Sequence, residues 1–192
     1  NHELYLLAVH AGIMNRKKDT LGAVFAADDL DNLIDWIRRL PLLIRREEGL
    51  LVHAGVMPTW SLKNTLEYAA QIEDGLRGDD WVGFLGRHLG PHADGSALTK
   101  ALAAFTRIRC LDKNGLLDHQ FKGPPEQMPN DLRPWFEAYA GEAGTIFFGH
   151  WAALGARRLS NAVSLDSGCV WGKNLSAYAP AHDQFLHQIA LE

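Results

Sequence analysis

Apolar positions recur along this chain with two different periods. Between residues 3 and 12, Leu4, Leu7, Ala8 and Ala11 fall on one face of a helix; between 28 and 40, Leu30, Leu33, Ile34 and Ile37 do the same. Aspartates open the second segment and Arg38-Arg39 close it before Pro41, a charge order that suits the helix macrodipole. A polar, basic loop is expected from Asn15 to Thr20. Further helices are predicted over 61–76 and 79–89, and around Leu98, Ala101, Leu102 and Phe105. Shorter apolar runs bounded by turn residues predict strands. Residues 42–46 and 50–53 form a hairpin through Glu47-Glu48-Gly49. Residues 107–111 and 115–119 form another around Asp112-Lys113-Asn114-Gly115, where Asn-Gly tolerates positive φ. A breaker-rich loop covers 90–95 and a Pro-rich connection covers 123–134. Strands are expected near 145–149, 162–166, 174–178 and 184–189. Helices come first and strands last, so the class is α/β with a C-terminal part that pairs largely antiparallel. Neither a repeat nor a linker divides the chain, which reads as one domain over 1–192.

Composition narrows the function. A net charge of −4 argues against general nucleic-acid binding, which needs a basic surplus. The basic runs Arg16-Lys17-Lys18, Arg38-Arg39, Arg45-Arg46 and Arg157-Arg158 read as solvated surface or as contacts for a phosphorylated small molecule. Two cysteines, Cys110 and Cys169, make no disulfide scaffold and fit reduced thiols in a cytoplasmic protein. No apolar run is long enough to span a bilayer, and no obligate protein partner is evident. The chain opens on Asn1 without an initiator Met, so the natural start is expected upstream.

Two apolar runs end in a histidine beside a glycine-containing turn: Leu50-Leu51-Val52 leads to His53-Ala54-Gly55, and Ile146-Phe147-Phe148 leads to Gly149-His150-Trp151. Layered α/β proteins build sites at the carboxyl ends of buried strands. A single strand-end histidine is as a rule a hydrogen-bonded structural residue. The shared context makes the pair a metal-ligand candidate, because neutral imidazole suits divalent transition metals. Asn1 adds a carboxamide oxygen, a harder ligand suited to Mn²⁺-like ions. His2, its neighbour, must point elsewhere, so one can bind metal while the other faces substrate. Arg107 and Arg109 alternate along the expected strand and share a face, as polyphosphate contacts or as surface residues engaged in salt bridges. Trp171, in a Gly-rich turn, either stacks on a base or packs on the sheet. Asp166 follows a strand and reads as structural.

These residues resemble calcineurin-like metallophosphoesterases. Asn1-His2-Glu3 is similar to the end of that family's Gly-Asn-His-(Asp/Glu) motif. Val52-His53-Ala54-Gly55 matches its Val-His-(Ala/Gly)-Gly strand end, and Gly149-His150 matches its Gly-His motif. The longer stretches Asn1–Val9, Trp36–Leu43, Ala104–Arg109, Lys122–Phe136 and Leu165–Gly172 resemble the bacterial symmetrical diadenosine tetraphosphatases within it. The resemblance implies an αββα sandwich and a two-metal phosphohydrolase using Mn²⁺ or Co²⁺. It implies Asn1, His53 and His150 as ligands of the second metal. His2 is implied as the group that contacts phosphate and protonates the leaving oxygen. Implied substrates are dinucleoside polyphosphates, including such caps on RNA. No metal role is implied for His10, His88, His92, His119, His182 or His187.

The family's Asp-x-His and Gly-Asp-x-x-x-x-Arg motifs precede Asn-His and are not in this sequence. The chain is therefore expected to be a C-terminal portion that lacks the first strands, exposes a sheet edge, holds at most one partial metal site and is inactive alone. Two other readings stay open: a Ser/Thr protein phosphatase of the same superfamily, and a non-catalytic nucleotide-binding or interaction module.

Overall fold

The computed structural model describes residues 1–16 and 21–191, so most of the expected basic loop lies outside the described residues. Those residues gather into two compact units, Asn1–Leu42 with Glu67–Leu102, and Leu43–Leu66 with Ala103 onward.

The first unit is helical. It contains α1 (His2–His10), α2 (Gly22–Phe25) and α3 (Leu30–Arg38), most of α4 (Leu62–Arg77), α5 (Trp81–His88) and the start of α6 (Ala97–Arg107). The expected apolar face of α1 is buried through Leu4, Leu7 and Ala8, joined by Leu6. In α3 only Ile34 is fully buried, and the rest of its stripe is half-covered. The arginine at the end of α3 serves a different helix from the one its sequence position suggests. Arg38 Nη1 donates to the carbonyls of Leu76 (3.1 Å) and Arg77 (2.8 Å) at the end of α4, and Asp35 holds its other arm. A cation there complements carbonyls that no helical N–H can reach. Helices α4 and α5 meet at Gly75, where a Cβ would stand 2.4 Å from the Phe84 ring.

The second unit is built on sheets. Its strands are β1 (Leu43–Arg46), β2 (Gly49–Val52), β3 (Cys110–Asp112), β4 (Leu117–Asp118), β5 (Leu132–Pro134), β6 (Ile146–Phe148), β7 (Arg157–Arg158), β8 (Ala162–Ser164), β9 (Asn174–Ala179) and β10 (Gln184–Ile189). A short helix, α7 (Trp135–Ala138), follows β5. The central sheet runs β1-β2-β6-β8-β7. The expected β1–β2 hairpin forms, with Leu43 opposite Val52. The expectation of largely antiparallel pairing fails at the centre, where β6 runs parallel to both β2 and β8. The reason is burial: Leu50 and Val52, Ile146–Phe148 and Ala162–Ser164 are all buried, as suits parallel strands covered on both faces. Their crossovers are long loops and distant segments, which helix-then-strand order does not reveal.

The second expected hairpin also forms, with Cys110 opposite Asp118, but the strand begins at Cys110 rather than at 107. β5, inside the Pro-rich connection, is a strand that the pattern of residues does not announce. It is an edge of the sheet β4-β3-β5, where Pro134 costs no ladder bond. β9 and β10 pair antiparallel from Asn174–Ile189 to Ala179–Gln184. Among the described residues, no helix is long and apolar enough to cross a membrane.

Candidate metal centre

The second unit brings the two strand-end histidines together. β2 and β6 are parallel neighbours, with Val52 opposite Phe148. One further rung extends the ladder, as the Gly149 amide donates to the His53 carbonyl at 2.9 Å. His53 and His150 therefore leave the same edge of the sheet, and His53 Nε2 lies 3.2 Å from His150 Nδ1. Two nitrogens that share one ion at about 2.1 Å each keep much the same separation.

Local backbone aims both rings. After His53, the Ala54 amide donates to the Phe105 carbonyl at 2.9 Å, near the end of α6. Gly55 then passes so close to the core that a Cβ would stand 2.6 Å from the Trp135 ring and 2.8 Å from Ile108. His150 adopts φ 64°, and the Trp151 amide donates across it to the Gly149 carbonyl at 2.7 Å. That is a three-residue turn of the rarer, strained hand. Strain of this kind persists only where the surroundings hold it. Here Trp151 is buried, and its indole Nε1 donates to the Gly123 carbonyl at 2.8 Å.

Electrostatics favour a ligand-ready imidazole. Burial, with the Arg109 guanidinium and His53 adding to it, lowers the His150 pKa to about 3. The ring is neutral at pH 7, as metal ligation requires. Its Nε2 is buried without a hydrogen-bond partner among the described residues. The two facing nitrogens, His53 Nε2 and His150 Nδ1, fit a divalent cation of borderline hardness. Among the described residues, no group of three or more His, Cys, Asp and Glu side chains is placed to hold a metal, so the histidines stand as a pair.

The remaining candidates are distributed around this pair or in the other unit. Arg109 is half-buried, and its Nη2 donates to the His150 carbonyl at 3.3 Å. Arg107 does not share a strand with it, because α6 continues through Arg107. The two arginines therefore do not share the strand face that their alternation predicts. Trp171 is 64% exposed rather than packed on the sheet. It ends a 3₁₀ turn (Cys169–Trp171) between two glycines in the left-handed region, Gly168 at φ 75° and Gly172 at φ 76°. Asp166 accepts from the Gly168 amide at 2.9 Å, a structural task that fixes the turn before Trp171. It also acts on the Arg109 guanidinium, a link sequence spacing did not disclose. In the first unit, Asn1 stands at the N-cap position of α1 without a side-chain cap bond, and His2 is an exposed residue of the first turn.

No protein-family model matches the chain. It is 40% identical, over 208 residues covering all of it and 73% of the relative, to the symmetrical bis(5'-nucleosyl)-tetraphosphatase of Burkholderia mallei (strain SAVP1). The chain belongs to the symmetrical bis(5'-nucleosyl)-tetraphosphatase family. The tetraphosphatase of Burkholderia pseudomallei (strain 1106a) matches at the same identity and coverage. That of Burkholderia thailandensis is 40% identical over 201 residues, covering 99% of this chain and 71% of the relative. Among solved structures, the chain resembles a protein provisionally assigned as a diadenosine tetraphosphatase. The TM-score is 0.59 at 19% identity, covering 100% of this chain and 66% of that one. This agrees with the α/β metallophosphoesterase fold that the motifs of the tetraphosphatase family imply.

Proposed function

We propose that this chain carries the hydrolytic site of a symmetrical diadenosine tetraphosphatase, which splits diadenosine tetraphosphate into two ADP. The observation that carries the reading is the convergence of His53 and His150 to 3.2 Å at the end of two parallel strands. Family membership selects the substrate, since the matched relatives are tetraphosphatases. That same name disfavours the Ser/Thr phosphatase and the non-catalytic module.

A divalent cation, Mn²⁺ or Co²⁺ for this donor set, supplies Lewis acidity and an activated water when bound. His53 and His150 would hold it, and the Asn-His motif assigns Asn1 to the same ion. In the overall reaction, water adds to one of the two inner phosphorus atoms and the central bridging oxygen leaves with the other half. His2 donates the proton that the leaving phosphate needs. Arg109, steadied by the His150 carbonyl, offers its remaining N–H groups to phosphate oxygens, and Arg107 adds a second cation. Trp171 presents an exposed ring for base stacking, a contact worth about 1–3 kcal/mol in other systems. Dinucleoside-polyphosphate caps on RNA carry the same phosphoanhydride and are further substrates of this reading. Two free thiols, Cys110 and Cys169, support a reducing, cytoplasmic setting.

The chain spans 73% of the length of the Burkholderia mallei tetraphosphatase, so turnover is best measured on a polypeptide of that full length. Incubated with diadenosine tetraphosphate and Mn²⁺, it should release ADP alone. AMP with ATP as the products, or preference for a phosphopeptide, would overturn the reading.

A further inference from the structure

The segment after β4 lies against the residue that follows His150, and it carries exposed polar groups that the mechanism above does not use. The Asp118 carboxylate accepts from the backbone amides of Gln120 (3.1 Å) and Phe121 (2.8 Å), which fixes the turn. The Phe121 ring meets Trp151 edge-on, with centroids 6.4 Å apart. Two residues later the Gly123 carbonyl accepts the Trp151 indole proton at 2.8 Å. The loop is thus fastened at Asp118, Phe121 and Gly123, while His119, Gln120 and Lys122 are left exposed. Trp151 is the neighbour of His150, so these fastenings tie the loop to the metal-centre edge of the sheet.

Charges of both signs act on His119. Desolvation and the Arg107 guanidinium lower the His119 pKa, against a smaller opposing pull from Asp118. Arg107 therefore lies close enough to His119 to act on it. A neutral imidazole next to one guanidinium, three residues from an ammonium, is an arrangement for a ligand with an anionic middle and an aromatic end. An anionic chain meets Arg107 and Lys122, and a planar base meets the uncharged ring.

We propose that the His119–Lys122 loop is a substrate-positioning rim: Lys122 contacts the polyphosphate and His119 packs against a nucleoside of the same ligand. This rests on the tetraphosphatase reading and extends it to residues outside the metal centre. The separation of roles explains why the loop is fastened by side chains at Asp118 and Phe121 rather than by a strand ladder. A rim of this kind needs fixed backbone and exposed, unlike side chains.

Two probes separate the roles: inorganic tripolyphosphate, which lacks a nucleoside, and diadenosine tetraphosphate, each titrated into the chain without metal. Lys122→Ala should weaken both probes by about 3- to 10-fold, the scale of one charged contact. His119→Ala should weaken the dinucleotide alone, and His119→Phe should restore it. Circular dichroism and melting temperature should match the unchanged chain, since both side chains are exposed. If the unchanged chain prefers the dinucleotide while either variant binds both probes within twofold of it, the rim is overturned and the tetraphosphatase reading stands. If the unchanged chain shows no preference for the dinucleotide over tripolyphosphate, the rim is overturned, while the tetraphosphatase reading is decided separately by ADP release from the full-length polypeptide.

Discussion

His53 Nε2 and His150 Nδ1 face each other across 3.2 Å, from two strands joined in parallel register. Neither ring can serve as a full ligand set, so the pair should behave cooperatively. His53→Ala and His150→Ala are each expected to weaken Mn²⁺ binding by tenfold or more, on the scale seen when a supporting group at a metal site is lost. The double variant should lose little beyond either single one. Calorimetric titration of Mn²⁺ checks this, and fully additive losses would show two independent sites.

His150 separates a ligand effect from a backbone effect. At φ 64° a side chain is strained and glycine is not. His150→Gly should therefore be more stable than His150→Ala by about 1 kcal/mol, while both lose the metal. Chemical denaturation of the two variants side by side measures the difference. Equal stability would mean that the turn carries no strain.

Much of this centre is legible in the residues themselves. An apolar run that ends in histidine and glycine marks a strand end, and burial of Leu50 and Ile146–Phe148 bears that out. Pairing is what stays hidden. Between the end of β2 at Val52 and the start of β6 at Ile146 the chain passes through part of the first unit, and no local pattern says that the two strands are neighbours. Arg107 is misplaced by pattern for a related reason: Arg-x-Arg alternates as a strand does, but α6 has not yet ended there. The three-residue β5 escapes because proline normally demotes a strand, and an edge position removes that objection.

Gly55 is the tightest packing constraint beside the centre. An alanine there must displace the Trp135 ring or Ile108, both buried. Gly55→Ala should cost about 1–3 kcal/mol, the usual scale of overpacking. It should also weaken Mn²⁺ binding, because His53 lies two residues away. Thermal denaturation and titration test both halves, and an unchanged melting temperature would mean that the core gives way freely.

In the first unit, Arg38 should matter for its fork as well as its charge. Its guanidinium reaches two carbonyls at the end of α4 while also holding Asp35. Arg38→Ala should destabilise by about 1–2 kcal/mol through the lost charged hydrogen bonds. Arg38→Lys should recover only part of this, since an ammonium cannot span the same acceptors. Full recovery by lysine would reduce the role of Arg38 to point charge.

The start of α6 provides a pH signature. Asp94 accepts from the Thr99 hydroxyl at 2.6 Å and the Ser96 amide at 2.9 Å, beside the buried His88. The Thr99 hydrogen bond first, then those from Ser96, hold its carboxyl well below the usual carboxylate range. A depressed folded-state value stabilises the protein above the ordinary value of 3.8, and that contribution fades as pH falls through the folded one. Asp94→Asn should therefore lower the melting temperature at pH 5, with the gap to the unchanged chain starting to narrow by pH 3 and closing only as pH falls further toward the folded value. A gap that stays constant over that fall in pH would place the effect in shape rather than charge.

The extra rung from the Gly149 amide to the His53 carbonyl has a consequence for which ions the proposed centre would accept. Adjacent strands hold their backbones about 4.7–4.9 Å apart, and this rung carries that spacing out to the histidines themselves. The sheet thus fixes where the chain leaves its edge at His53 and Gly149, while the turn at His150 and the two ring torsions set the gap between donors. A change of metal preference in this lineage should then arise at that turn or by exchanging a donor atom, not by moving the strands.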